Sequence, residues 1–262
     1  MSEKFERLLS ILKEMQSVVL AFSGGVDSTF ILKAVKESGI QSLAVTAYSE
    51  TMPESEFRFA EDMAKFIGVN HRVIKTDEMS NPDFVRNPKD RCFYCKDELF
   101  SKLLNIAKAE GYKYVIDGSN SDDLSDWRPG RQAALKHSVR SPLVEAGLSK
   151  DEIRKLSKTM GLPTWSKPAS PCLSSRFPYG EAITRDALKR VEMSEEFLKG
   201  LGFGELRVRN HNDTARIELK AEEIDRLFNK ELRESITNEL KKIGFKYVTI
   251  DLEGFRSGKL NS

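Results

Sequence analysis

Ser17-Val18-Val19-Leu20-Ala21-Phe22-Ser23-Gly24-Gly25-Val26-Asp27-Ser28-Thr29 is the stretch on which the fold turns. Residues 17–22 are a short apolar run with β-branched content, as in a buried parallel strand. Helical spacing returns over residues 29–37. Between strand and helix, glycines let backbone amides come close to an anion, because no side chain intervenes. The start of the following helix offers free N–H groups and the positive end of its dipole. Ser23, Ser28 and Thr29 add hydroxyl donors. Asp27 is out of place in a purely anionic site and makes sense if Mg²⁺ stands beside phosphates. Two adjacent glycines alone would equally suit a tight strand-to-helix turn with a serine cap. The full string after a buried strand favours a nucleotide. It is not the Walker motif, since no Gly-Lys-Ser/Thr is present.

Outward from this turn the chain alternates strand and helix. Residues 4–16 read as a helix with Phe5, Leu8, Leu9, Ile11, Leu12 and Met15 on one face. Residues 43–48 and 70–74 read as strands with a helix over 54–67 between them. A long helix is predicted over 93–109. A strand at 114–116 then enters Asp117-Gly118-Ser119-Asn120. This order predicts an α/β fold: a parallel sheet with helices on both faces and ligands at the carboxyl ends of the strands. A helix over 150–160 starts after Ser149, a good N-cap. Prolines 163, 168, 171 and 178 then punctuate a long loop, and long loops in compact domains are usually functional. From about residue 179 the pattern changes to helix (184–201), strands (205–209 and 215–219), one or two helices (221–243) and a last strand (246–251). The chain is therefore expected to divide into residues 1–178 and a small α+β domain over 179–262.

Composition narrows the class. Of 262 residues 39% are hydrophobic, enough for a large core or for one good-sized domain plus a small one. With 42 basic against 40 acidic residues the formal net charge is +2, which gives no global pull toward nucleic acid or membrane. No run of about 18 apolar residues occurs, so no membrane span is expected. The amino terminus lacks the apolar stretch of a signal peptide, and the cytoplasm is the expected location.

Three cysteines in a reducing compartment point to reactive thiols or metal ligands rather than disulfides. Cys92 and Cys95 open the long helix, where the dipole, Arg91 and Lys96 favour thiolates. Cys172 lies in the proline-rich loop. Three thiolates can hold a 4Fe–4S cluster with one iron left without a protein ligand, open to an exogenous sulfide. A structural zinc completed by His71, His137 or His211 is an alternative. So is a set of free or redox thiols, with Cys172 acting alone as the sulfur carrier.

Ser23-Gly24-Gly25-Val26-Asp27-Ser28 resembles the signature of the PP-loop ATP pyrophosphatase superfamily. Further strings stand in order along nearly the whole chain. They include Asp117-Gly118-Ser119-Asn120, Arg128-Pro129-Gly130, Ser141-Pro142-Leu143 and Pro171-Cys172-Leu173-Ser174-Ser175-Arg176-Phe177-Pro178-Tyr179-Gly180. Arg207-Val208-Arg209, Ala215-Arg216-Ile217-Glu218 and Gly244-Phe245-Lys246-Tyr247-Val248 through Gly254-Phe255-Arg256-Ser257-Gly258 follow. Together they are similar to the LarE family, the PP-loop sulfur transferases of nickel-pincer nucleotide synthesis, which supplies the cofactor of lactate racemase.

The resemblance implies that ATP adenylates the carboxylates of pyridinium-3,5-biscarboxylic acid mononucleotide, which then become thiocarboxylates. In one branch a single cysteine at the Cys172 position gives up its own sulfur. This chain departs from that branch by carrying Cys92 and Cys95, and the three-cysteine branch implies a cluster that carries an extra sulfide. The implied ATP site comprises Ala21, Phe22, Ser23, Gly24, Gly25, Asp27, Ser28, Thr29, Tyr48, Gly118, Asp122 and Arg128, with Asp27 toward Mg²⁺. Cys92, Cys95, Cys172, Asp27 and Arg176 are the expected catalytic set; Arg176 is expected to hold substrate or AMP phosphate. Arg207 and Arg209 alternate with Leu206 and Val208 and so share a strand face; Arg216 on the next strand can join them on the substrate phosphate. A solvated face or loop is the plain alternative for each of these surface residues. A homo-oligomer, trimer or hexamer, is implied as well.

Two rivals stand beside this reading. A tRNA 2-thiolating enzyme shares the loop and the cysteines, but needs a broad basic face for RNA. The net charge of +2 and the lack of an added RNA-binding module argue against it. A nucleotide-binding sensor without catalysis would use the cysteines as a redox or metal reporter.

Overall fold

Val18, Leu20 and Val19 lie side by side in sequence yet serve opposite faces of a sheet, because successive strand residues point to opposite sides. In the computed structural model, which describes residues 3–124 and 128–256, the first elements are α1 (Glu3–Met15), β1 (Ser17–Ala21), α2 (Val26–Ser38), β2 (Gln41–Tyr48), α3 (Glu54–Ile67) and β3 (His71–Lys75). Then come α4 (Pro82–Val85), α5 (Arg91–Glu110), β4 (Tyr114–Ile116), α6 (Pro129–Lys136), α7 (Pro142–Glu145) and α8 (Lys150–Thr159). The remainder comprises α9 (Arg185–Gly200), β5 (Leu206–His211), β6 (Thr214–Leu219), α10 (Ala221–Ile224), α11 (Lys230–Ile243) and β7 (Tyr247–Ile250). Ser257 and Gly258 of the carboxy-terminal string lie outside the described residues. The chain divides into two units: residues 1–84 with 90–170, and residues 85–89 with 171–262.

In the first unit four parallel strands stand in the order β3-β2-β1-β4. Val18 and Leu20 pack with Phe5, Leu8, Phe30 and Ile31 of α1 and α2, whereas Val19 packs with Phe100 and Leu103 of α5. Each such side chain taken fully out of water contributes about 1.5–3 kcal/mol, so β1 is held by helical layers on both faces. This is the expected α/β fold. Successive strands run outward from β1 to β3, and the chain then crosses to β4 on the other side of β1. The carboxyl ends of β1 and β4 thus form the topological switch point, where such sheets bind ligands.

Three local features differ from the sequence pattern. α2 begins at Val26, three residues before Thr29, because Gly25 takes the N-cap position with extended backbone. α6 and α7 were not expected as helices; each begins with a proline, which is well suited to the first helical turn. The proline-rich segment carries two 3₁₀ turns, Pro163–Ser166 and Leu173–Arg176, and is otherwise loop. Ser149 caps α8 in a reciprocal capping box with Glu152.

In the second unit three strands stand in the order β5-β6-β7, the first pair antiparallel and the second parallel. Leu206, Val208, Ala215, Ile217 and Leu219 are buried on one face, as are Leu188 and Val191 of α9 and Leu240 of α11. The register sets Arg207 opposite Glu218 and Arg209 opposite Arg216, so these four share the other face. Among the described residues no helix is long and apolar enough to cross a membrane.

Candidate active site

Gly24 and Gly25 occupy different environments. Gly24 has φ +68°, and a Cβ there would lie 2.8 Å from Ala60 Cα on α3. Gly25 has φ −75° and no such crowding: the nearest atom to a Cβ would be Ser23 Oγ at 3.5 Å. Gly24 is therefore demanded by the fold, whereas Gly25 leaves an open approach to the start of α2. No side chain caps that helix, and the first-turn amides of any helix lack intrahelical partners. Ser23 Oγ and Ser28 Oγ share a hydrogen bond at 3.1 Å, and Ser28 Oγ donates to Gly25 O at 3.3 Å. These hydroxyls knit the loop together. Thr29 is fully buried, and its Oγ1 has no hydrogen-bond partner among the described residues. Phe22 is tied to β2 on both sides, donating to Val45 O and accepting from Thr46 Oγ1, each at 2.9 Å. Ala21 is half-buried at the end of β1.

β4 closes the site from the other side. A Cβ on Gly118 would stand 3.0 Å from Ser28 N, so this glycine lets the two loops touch. Asp27 points Oδ2 at Lys150 Nζ of α8. Its Oδ1 is buried without a hydrogen-bond partner among the described residues. Burial raises the Asp27 pKa; Lys150 opposes the rise and the Asp123 charge adds to it. An ionised carboxylate with a buried orphan oxygen fits a hard cation such as Mg²⁺. Asp122 accepts the backbone N–H of Lys150 at 2.9 Å, at the start of α8. Arg128 pairs with Asp123 at 3.0 Å. Tyr48 donates to Glu54 at 3.1 Å with its ring against Phe57.

Cys92 is exposed and Cys95 half-buried, one turn apart at the start of α5, and neither is in a disulfide. Gly130 of α6 stands where a Cβ would come within 2.6 Å of Lys96 Cδ, so it leaves the slot through which Lys96 passes. In the second unit Cys172 is half-buried and also reduced. Arg176 is buried, gripping Glu195 through two bonds of 2.9 and 2.8 Å. Its remaining Nη1 donates to the carbonyls of Pro171 and Cys172 at 2.6 and 2.9 Å. Its guanidinium thus holds the cysteine loop. Arg209 pairs with Glu218 at 2.8 Å and donates to Ser175 O at 2.7 Å. Arg216 is bound to Asp251 and lies 3.4 Å from Glu218. Burial, then the Arg176 and Arg209 charges, push the Arg207 pKa down to about 10. It stays protonated at neutral pH, a desolvated cation whose repulsion by the neighbouring arginines is partly offset by Glu195. Ser174 Oγ and Arg209 Nε are buried donors without hydrogen-bond partners among the described residues. Among the described residues, neither unit gathers three His, Cys, Asp or Glu side chains that would hold a metal ion.

Comparison with known proteins agrees with this geometry. A family model described as Asparagine synthase matches residues 11–233. The chain is 40% identical over 265 residues to pyridinium-3,5-bisthiocarboxylic acid mononucleotide synthase of Lactiplantibacillus plantarum, covering 100% of this chain and 95% of that protein. The chain belongs to this synthase family, LarE. An uncharacterized protein of Synechocystis sp. is 45% identical over 262 residues, with 100% and 98% of the two chains covered. An argininosuccinate synthase of Haloarcula marismortui is 27% identical over 161 residues, 56% of this chain and 38% of that one. The chain is an ATP-dependent enzyme.

In this LarE chain three positioned residues went unread in the sequence. Lys150 followed a serine cap and read as an ordinary helix start, yet it sits on Asp27. Lys167 lies in the proline-rich loop and reaches Gly24 O. Asn87, fully buried with φ +55°, donates to the carbonyls of Phe177 and Pro178 at 3.3 and 2.7 Å. It clasps the segment before Cys92 to the one after Cys172, both within the second unit. Lys-Asp-Glu-Ile-Arg at 150–154 was the one legible signal, since it places Lys150 and Arg154 on one helix face.

The two glycines of the LarE loop are expected to fail differently. Gly24→Ala should lower stability by about 2–4 kcal/mol, from left-handed backbone strain and the collision with Ala60. Gly25→Ala should cost less than about 1 kcal/mol of stability while weakening ATP uptake. Thermal unfolding and titration calorimetry on both variants check this; equal stability losses would contradict it.

Proposed function

We propose that this enzyme adenylates the carboxylates of pyridinium-3,5-biscarboxylic acid mononucleotide and converts them to thiocarboxylates. The carrying observation is the pairing at the switch point of an open, uncapped helix start at Gly25 with the orphan buried Oδ1 of Asp27. The near-full-length match to the named synthase supplies the substrate class. A carboxylate oxygen of the substrate attacks the α-phosphorus, the α–β phosphoanhydride bond breaks, and pyrophosphate leaves. A sulfur nucleophile then adds to the acyl carbon, and the bond to AMP breaks. The amides at the start of α2 hold the departing phosphates, and Lys150 adds a positive charge beside them. Asp27 would hold Mg²⁺, which when bound neutralises phosphate charge.

Cys92, Cys95 and Cys172 would hold a 4Fe–4S cluster, a group that supplies sulfide when an extra sulfide sits on its open iron. The pair at the start of α5 has the spacing and thiol chemistry for two of the ligands. Arg207, Arg209 and Arg216, with Ser174, bind the substrate phosphate, and Arg176 positions the Cys172 loop. Three reduced thiols fit a reducing cytoplasm. A trimer or hexamer is the proposed assembly, to be read by sedimentation.

Pyrophosphate release from ATP is expected only when the pyridinium dicarboxylate is present. Anaerobically purified protein is expected to hold about four irons per chain, lost in Cys95→Ala. Release without the dicarboxylate, or none with it, would remove the substrate assignment. Zinc, or no metal in either protein, would remove the cluster and restore Cys172 as a sacrificial donor.

A further inference from the structure

Lys167 is set onto the phosphate loop by three contacts from two directions. Its Nζ donates to Gly24 O at 3.3 Å, pairs with Glu56 Oε2 at 2.8 Å, and lies 3.5 Å from the centroid of the Phe59 ring. Glu56, Phe59 and Ala60 stand at i, i+3 and i+4 on α3 and so share one helix face. That face also carries the Ala60 backbone against Gly24. From the other side, Arg154 of α8 donates to Trp165 O at 2.6 Å and Lys167 O at 2.9 Å, strapping the turn that presents the lysine. The lysine side chain is only 15% exposed, and its charge is met by a carboxylate and an aromatic face.

A trans peptide group is planar, so its C=O and the next residue's N–H point in opposite directions. Whatever holds Gly24 O therefore aims Gly25 N–H the other way. Gly24 and Gly25 are the residues least able to hold their own peptide plane, because glycine explores both signs of φ. Among the described residues Gly25 N–H has only a long 3.4 Å contact to Ser23 Oγ, so it is available to a stronger acceptor.

We propose that Lys167 is a positioning residue that fixes the Gly24–Gly25 peptide so that the Gly25 N–H faces the nucleotide phosphates. This rests on the reading of the loop as the ATP site. Lys167 acts through the backbone and touches no reacting atom. Loss of the ammonium leaves the peptide free to turn, and the amide then has to be reoriented each time ATP binds.

The test uses full-length protein labelled with ¹⁵N-glycine, the Gly25 amide being assigned through Gly25→Ala. Saturation with Mg–ATP is expected to move the wild-type Gly25 amide proton downfield. Lys167→Met keeps the stem on Phe59 but removes the donor and charge. It is expected to weaken Mg–ATP binding by about tenfold or more and to abolish the downfield shift, while Lys167→Arg restores most of both. If the methionine variant does not fold, Lys167→Gln, whose shorter amide does not reach the carbonyl, is read the same way. Binding within about twofold of wild type, or a retained Gly25 shift in a weakened variant, overturns the proposal. A wild-type protein that takes up no ATP sinks the parent reading and this one with it, so the two failures are distinguishable.

Discussion

Asp27→Asn is expected to lower the rate of pyrophosphate release by about 10²–10³-fold, the scale of losing one preorganised charge contact at a phosphate. Asparagine keeps the shape of the side chain, so the start of α2 and the Gly24–Gly25 turn should persist. It loses the negative charge that balances Lys150 and that would attract a cation. Two consequences separate this from simple damage. The variant should hold its unfolding temperature, because a carboxylate whose pKa burial raises is itself costly in the fold. The wild type should need more Mg²⁺ as pH falls, since burial makes Asp27 take up its proton at a higher pH than an ordinary carboxylate and a cation binds only the ionised form. Asp27→Asn should show no such pH dependence of its Mg²⁺ requirement. Rate against Mg²⁺ concentration at several pH values decides it; identical profiles for the two proteins would remove Asp27 from the metal site.

Val18, Val19 and Leu20 announced a strand buried on both faces, and the parallel sheet followed with its helices on each side. Ser149 with Glu152 gave the start of α8 for the same reason: the signal is local and chemical. The candidate site was legible where the backbone itself forms the opening, as at the uncapped helix start at Gly25. It was less legible where a residue acts through distant partners. Asp122 and Arg128 stood in a loop of plausible composition, but their contacts with Lys150 N and Asp123 are made only by the fold. Lys150 and Lys167 lie 123 and 143 residues from the loop positions they meet, beyond any periodicity. Arg176 was expected on substrate or AMP phosphate, and nothing local marks Glu195 as its partner. The glycines were legible as glycines only. That Gly24 serves packing is a fact about Ala60, which sits on another helix, while Gly25 has no such neighbour.

Glu195→Ala is expected to destabilise the second unit by about 3–5 kcal/mol, the cost of leaving a buried cation without its partner. Arg176 and Glu195 are only 2% and 3% exposed, so water cannot replace the lost carboxylate. The same carboxylate accepts the Val208 backbone N–H at 3.0 Å, so a strand amide of β5 is orphaned too. Against a total stability of about 5–15 kcal/mol, that is a large share, and the unfolding temperature should fall by roughly 6–20 °C. The pH dependence has a definite sign. Burial pushes the Glu195 pKa up, but the hydrogen bond and charge of Arg176, with the Val208 amide, outweigh it and hold the pKa below the usual range. Its contribution is therefore complete above the ordinary carboxylate range and disappears as pH falls through the lowered folded value. The stability gap between wild type and Glu195→Ala should close only in acid. Arg176 also ties down the carbonyls of Pro171 and Cys172. With its anchor gone, the Cys172 thiol should react faster with iodoacetamide while Cys92 and Cys95 keep their rates. A gap that persists unchanged in acid, or unaltered Cys172 alkylation, would show that the buried pair neither stores that stability nor holds the cysteine loop.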